Sequence, residues 1–395
     1  MYYERINGSK MEYSKYNIYI KDYPRIGHTT IYNLFKRQII CVQTTQLKHP
    51  ALKIEDKLRN GGFLVPSHGD EFTELQQYYD DNTHPDELLV MLMLTRACNC
   101  SCVYCYEDQQ NAHFGDVVDI DKTISTIEML VKARNTSKIR IAFFGGEPLL
   151  KKDIITKISE IMHAKYGGNY RFAIVTNGTL LHREDATIWS KLGLYSMKIT
   201  LDGCAACHNL RRPYKNGRDS YLDIVSNLEE TNGIIPITLN IVLDDSISGV
   251  VDLVDDLQKR NINPEYSLCV KEPNEYSPTE KANLVLEHAK ILAQKGAYQS
   301  TRIAYDHGII CMGKNMNAVG LDGDGTLYQC DGYFKSIVNS MDQQVNRSIC
   351  NLPSKCIDCT YLPICFGGCL YEHRCEAEYF EEIVPELIKI YSRVV

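Results

Sequence analysis

From residue 87 onward the chain repeats one pattern: a short, nearly unbroken apolar run, a loop, then apolar residues at helical spacing. The runs fall at residues 88–95, 139–144, 170–176, 196–201, 237–243 and 266–270. Continuous apolarity, rather than strict alternation, is what strands covered on both faces require. Between them, Ile120, Ile124, Ile127 and Val131 share one helical face, and Ile154, Ile158 and Ile161 share another. Further helical patterns cover 186–192, 221–228 and 250–257. Strands alternating with helices predict a parallel sheet with right-handed crossovers. The fold class is therefore α/β, a partial (β/α)6 TIM-like barrel, with chemistry expected at the carboxyl ends of the strands.

The flanks read differently. Residues 1–85 carry strand-like runs at 16–20, 29–35 and 38–42, an amphipathic helix at 51–59 and a further run at 63–65. This predicts a small α+β unit, closed by a linker at Asp81-Asn82-Thr83-His84-Pro85. The barrel is expected over 86–300, ending in a helix at 279–295. Residues 301–395 form a third unit. Its stretch 305–375 is dense in Gly and Cys and weakly periodic, so it needs a metal scaffold in place of a large core. A terminal helix is expected over 376–391, bent or split at Pro385.

Composition narrows the function classes. The 395 residues are 44% hydrophobic and 24% charged, with a formal net charge of −7. No long Lys/Arg run is present, which argues against a nucleic-acid partner. No apolar stretch is long enough to span a membrane, and the N-terminus lacks the apolar core of a signal peptide. The expectation is a soluble, cytoplasmic protein.

The sixteen cysteines change the picture. Four lie within Cys98–Cys105 and six within Cys350–Cys375. In a long chain without a secretion signal, clustered cysteines point to metal rather than disulfides. Cys98, Cys102 and Cys105 follow the first barrel strand with the spacing C-x3-C-x2-C. A cubane cluster wants four ligands, so three thiolates leave one iron open for chemistry. Structural zinc competes with this reading, but it usually takes two paired half-sites, and no second pair lies near this loop. Cys100 reads as a bystander, and Cys41 and Cys269 read as core residues.

This spacing at the end of a first strand resembles the radical S-adenosylmethionine (SAM) superfamily. The resemblance implies that Cys98, Cys102 and Cys105 hold a [4Fe–4S] cluster whose open iron binds SAM, with Tyr104 beside the adenine. Gly145-Gly146-Glu147-Pro148, at the end of the second strand, matches the family's GGEP element. Its glycines would admit a ligand to the backbone, and its carboxylate would receive an ammonium group. Thr176-Asn177-Gly178 and Thr200-Leu201-Asp202-Gly203 end the third and fourth strands and resemble elements lining the SAM pocket, though each is also an ordinary turn. Asn177, Thr200 and Arg212 are the candidate SAM contacts. Arg211 competes with Arg212, and Asn240 is a further candidate that reads more readily as a hydrogen-bonded core residue.

Cys311, Gly325 and Cys330 (C-x13-G-x4-C), followed by Cys356, Cys359, Cys365, Cys369 and Cys375, resemble the SPASM extension of peptide-modifying radical SAM enzymes. The resemblance implies two auxiliary [4Fe–4S] clusters, three in all. Cys356, Cys359, Cys365 and Cys375 would hold one; Cys311, Cys330 and Cys369 would hold the other, with Cys350 as a substitute ligand and one iron open to a further ligand. A zinc-stapled domain is the alternative. Cys204 and Cys207 form a C-x2-C that reads either as a redox pair or as two unrelated thiols. The N-terminal unit resembles the winged-helix-like domains that bind leader peptides by strand addition; a cap over the barrel is the competing reading.

The resemblance implies a ribosomal peptide (RiPP) maturase. It would take a precursor peptide with a leader, and a flavodoxin or ferredoxin as electron donor, and would form a thioether or carbon–carbon cross-link. Sulfatase maturation, forming formylglycine, is the runner-up. It draws on Asp331, which directly follows Cys330 and is placed to move a proton. A non-catalytic iron–sulfur electron carrier is the reading from another class.

Overall fold

The structure is a computed structural model. It describes residues 2–3, 11–67, 69–83, 86–105, 118–271, 276–297, 311–330, 332, 337–338, 352–369, 371 and 374–391. Asp331 and Cys350 lie outside the described residues.

The N-terminal unit holds two three-stranded sheets. β1 (Tyr2–Tyr3), β2 (Met11–Tyr13) and β6 (Leu64–Pro66) form one; β3 (Asn17–Lys21), β4 (His28–Asn33) and β5 (Gln38–Gln43) form the other. Met11, Ile31, Val42, Leu58, Phe63 and Leu64 make its own small core, while Tyr16, Ile18, Ile20, Leu75 and Tyr79 join the main core. The expected linker gives way at its start to a helix, Glu71–Thr83, that the sequence reading missed. Asp70 caps its start through Phe72 N and Thr73 N, both at 3.1 Å, and buried Leu75 and Tyr79 hold its inner face.

Six parallel strands follow: β7 (Glu87–Met93), β8 (Lys138–Phe144), β9 (Tyr170–Thr176), β10 (Leu194–Thr200), β11 (Ile237–Leu243) and β12 (Glu265–Val270). The helices between them include Ile120–Arg134, capped by Asp119, and Pro278–Gln294 is opened by a Ser277/Glu280 capping box. Leu88, Val90 and Leu92 of β7, with Ile139, Ile141 and Phe143 of β8, pack into the main core with these helices. Met91, Met93 and Phe144 lie in a separate cluster on the other face.

The sheet does not end at six strands. β13 (Ala318–Asp322) pairs parallel to β7, and β14 (Leu327–Tyr328) returns antiparallel, in the order β12-β11-β10-β9-β8-β7-β13-β14. So the cysteine-rich segment does bury a strand: Ala318, Val319 and Leu321 are buried. Gly320 is needed there, because a Cβ would stand 2.0 Å from the Tyr328 ring. Helix Ala377–Tyr391 runs through Pro385 without being split. Phe380, Ile383, Val384, Leu387 and Ile388 are buried, and the helix packs on Pro278–Gln294, which offsets the hydrogen bond that proline removes.

Candidate functional site at the carboxyl ends of the strands

The loop carrying Cys98, Cys102 and Cys105 leaves β7 and is held on three sides. Gly146 N donates to Thr95 O and Glu147 N to Ala97 O, each at 2.9 Å. On another side Ser101 N donates to Pro213 O at 2.8 Å, Val103 N to Arg211 O at 2.9 Å and Lys215 N to Asn99 O at 2.9 Å. On the third, Asn99 receives Asn177 Nδ2 at 2.8 Å and gives Nδ2 to Thr179 Oγ1 at 2.8 Å. The ends of β7, β8 and β9 and the 211–215 segment thus fix one loop.

The Gly145-Gly146 pair serves this packing first. A Cβ on Gly145 would stand 2.3 Å from Thr95 O, and one on Gly146 would stand 2.4 Å from Arg96 O. Both of these close approaches are to the backbone of the cysteine loop. Glu147 is fully buried, and its carboxylate already receives Leu149 N at 2.9 Å, Thr176 Oγ1 at 2.6 Å and Asn177 N at 2.8 Å. It ties β8 to β9, and burial pushes its pKa up to about 7.

The three thiols of the loop are half-buried, and none of the described cysteines is in a disulfide. Hydrogen bonding from Cys100 lowers the Cys98 pKa to about 6 against the opposing effect of burial, and the Arg212 charge lowers it further. Burial raises Cys102 to about 11. Cys100 is buried and forms an isolated backbone bridge with Tyr214. Among the described residues, no three His, Cys, Asp or Glu side chains are grouped closely enough for a single metal ion.

Arg211 and Arg212 part company here. Arg211 is consumed inside the protein: Nε donates to Asp202 Oδ2 at 3.2 Å, Nη2 to Val242 O at 2.7 Å, and Nη1 to Asp244 and Ser246. Asp202, fully buried, also receives Val242 N at 2.9 Å and the Tyr104 hydroxyl. Arg212 gives Nη1 to the Tyr104 hydroxyl at 2.7 Å, and its buried Nε has no partner among the described residues. The Tyr104 ring lies 4.9 Å from the Arg211 guanidinium and 5.7 Å from that of Arg212. The sequence reading missed this Asp202–Arg211–Asp244–Ser246 network. Its one signal in the sequence is Asp202, just past the end of β10.

Thr200 ends β10 and pairs in register with Asn240 of β11. Asn240 was expected to be a satisfied core residue; instead its Oδ1 is buried without a partner among the described residues. Cys269, expected in the core, is exposed on β12, because its side faces outward where Leu268 and Val270 face in. Cys41 is half-buried. Cys207 is buried and accepts Ser248 N at 3.3 Å, while Cys204 packs where Gly249 has no side chain.

In the C-terminal segment Cys330, Cys356, Cys359, Cys365 and Cys369 are half-buried, and Cys311 and Cys375 exposed. Cys356, Cys359 and Cys365 pack against the main core.

Residues 92–257 match the model of the Radical SAM superfamily, so the chain carries a radical SAM domain. An uncharacterized protein of Methanocaldococcus jannaschii is 34% identical over 140 residues, 35% of this chain and 46% of the relative. The chain spans less than half the length of the first curated relatives it matches. Among solved structures, native anSMEcpe with bound AdoMet superposes with a TM-score of 0.58 at 16% identity, covering 76% of this chain and 98% of that one. SuiB of Streptococcus suis bound to precursor peptide SuiA gives 0.52 at 14% identity, covering 92% and 96%. At such identities these likenesses show the fold.

A radical SAM domain implies SAM and a [4Fe–4S] cluster, and the residues present fit both. Three half-buried thiols on one braced loop, none of them in a disulfide, suit a cluster bound by thiolates. Arg212 Nε, next to the Tyr104 contact, and Asn240 Oδ1, in register with Thr200 of β10, are buried polar atoms without a partner among the described residues.

Proposed function

We propose that the protein is a radical SAM maturase acting on a ribosomally made precursor peptide. The observation that carries the radical reading is the braced Cys98–Cys102–Cys105 loop, with Arg212 held against its Tyr104 and the buried Arg212 Nε unpartnered among the described residues. When bound, SAM and the reduced cluster supply a 5′-deoxyadenosyl radical that takes a hydrogen atom from the peptide. In this reading Arg212, Asn240, Thr200 and Asn177 bind and orient SAM. Arg211, Asp202 and Glu147 hold the loops that carry them.

The peptide substrate is supported by the likeness to SuiB. Its 92% coverage of this chain leaves too few residues to omit the N-terminal unit. Residues 1–85 would bind the leader of the precursor by strand addition to a sheet edge. Residues 301–395, through Cys311, Cys330, Cys356, Cys359, Cys365, Cys369 and Cys375, would hold two auxiliary [4Fe–4S] clusters. A flavodoxin or ferredoxin would supply electrons in the cytoplasm. Among the described residues, no helix is long and apolar enough to cross a membrane.

Formylglycine formation is the second reading, favoured by the likeness to anSMEcpe. Asp331, directly after Cys330, would take the proton. The test is incubation of reconstituted protein, SAM and dithionite with candidate peptides, followed by mass spectrometry. A product that keeps its sulfur and has lost a pair of hydrogens supports cross-linking. An aldehyde supports formylglycine, and an unmodified peptide in every case argues against a peptide substrate.

A further inference from the structure

Lys314 lies in the turn that follows Cys311, with its own N donating to Cys311 O at 2.8 Å. Its side chain is buried, at 4% exposure. The ammonium donates to Phe366 O at 2.5 Å and to Cys365 O at 3.4 Å, the carbonyls that end the short helix Leu362–Cys365. No carboxylate pairs with it among the described residues. The backbone around it is fixed: Tyr79 OH donates to Lys314 O at 3.5 Å, and the Tyr79 ring lies 5.1 Å from that of Phe366.

A buried ammonium held only by two carbonyls is under-compensated, since removing a charge from water costs several kcal/mol unless an opposite charge answers it. Burial accordingly pulls the Lys314 pKa down. Thiols push it back up: Cys365, Cys311, Cys369 and Cys356. These four do not belong to one cluster in the assignment above. Cys311 and Cys369 fall in one set, Cys356 and Cys365 in the other. Lys314 touches the backbone of one member of each set, its ammonium at the Cys365 carbonyl and its own N at the Cys311 carbonyl.

We propose that Lys314 is the built-in counter-charge of the C-terminal cysteine centre, offsetting the thiolate charge of both auxiliary clusters and raising their reduction potentials. The inference rests on the iron–sulfur reading of residues 301–395. Its physical basis is that a fixed positive charge in a region of low dielectric stabilises the reduced, more negative form of a nearby cluster. Lys314 is thus a positioning and tuning residue and touches no substrate.

The test isolates the auxiliary clusters by replacing Cys98, Cys102 and Cys105 with Ala in the full-length chain. Iron and sulfide are measured after anaerobic reconstitution, and midpoint potentials are read by EPR-monitored titration. Lys314→Met should keep its iron and shift the potentials downward, and Lys314→Arg should restore them. Iron loss in Lys314→Met that Lys314→Arg repairs also supports the counter-charge. Unchanged potentials at full iron loading, or equal iron loss in both variants, overturn it. Absence of iron from the Cys-to-Ala background itself overturns the iron–sulfur reading, and the inference with it.

Discussion

The Arg212 guanidinium reaches the Tyr104 hydroxyl at 2.7 Å, and that hydroxyl in turn binds Asp202. The aromatic residue inside the cysteine motif is thereby tied to the end of β10 and to the segment 211–215. The relation separates two adjacent arginines by role. Arg212→Met is expected to weaken SAM binding at least about tenfold, about 1.4 kcal/mol, by calorimetry on reconstituted protein, with little change in thermal midpoint. Arg211→Met leaves Asp202 and Asp244 buried without their partner and should cost about 3–5 kcal/mol of stability. Equal effects of the two variants on binding and stability would contradict the division.

Gly146→Ala pushes a methyl group to within 2.4 Å of Arg96 O and 2.6 Å of Ala97 O. Backbone on both sides cannot yield cheaply, so the cysteine loop must move. The expected outcome is loss of the iron bound through Cys98, Cys102 and Cys105, with iron elsewhere retained. Gly168→Ala is the control, because a Cβ there meets nothing within 4 Å. Iron analysis with absorbance spectra checks both.

Glu147 gives stability a pH dependence. Its folded pKa of about 7 lies above its ordinary value of 4.5, so between these the folded chain binds more protons than the unfolded one. Stability from this group is full below the ordinary value and is lost as pH rises through about 7. The swing is up to about 3 kcal/mol at about 1.4 kcal/mol per unit. Urea unfolding of cluster-free protein from about pH 5 to about pH 8 should show that slope, and Glu147→Gln should flatten it. An unchanged slope would show that Glu147 is not the group responsible.

Much of this architecture was legible because strands buried on both faces announce themselves as apolar runs. β8, β9, β11 and β12 all fall within a residue of those runs. The strand β13 was not legible. Its five residues include Gly320 and Asp322 and sit among glycines and cysteines, and its burial comes from pairing with β7 far away in sequence. The helix Glu71–Thr83 escaped because Tyr78, Asp80 and Asp81 dilute its apolar stripe, while Leu75 and Tyr79 are recruited by the main core. At the site, the cysteine spacing and the glycine pair were readable as local motifs. Which arginine stays available was not, since Asp202 and Asp244 come to Arg211 only through the fold.

Iron stoichiometry tests the count of clusters. Wild-type protein reconstituted anaerobically should hold about twelve irons per chain, at four per cubane. Replacing Cys356 and Cys359 together by Ala should remove about a third of that iron and leave the remainder. A wild-type value of about four would leave only the cluster of the radical SAM domain.

The most direct test of the central claim is SAM cleavage. Reconstituted protein given dithionite and SAM without oxygen should release 5′-deoxyadenosine and methionine, measured by liquid chromatography, and Cys98→Ala should abolish the release. No 5′-deoxyadenosine from iron-loaded wild-type protein, or equal release from Cys98→Ala, would contradict the radical SAM account.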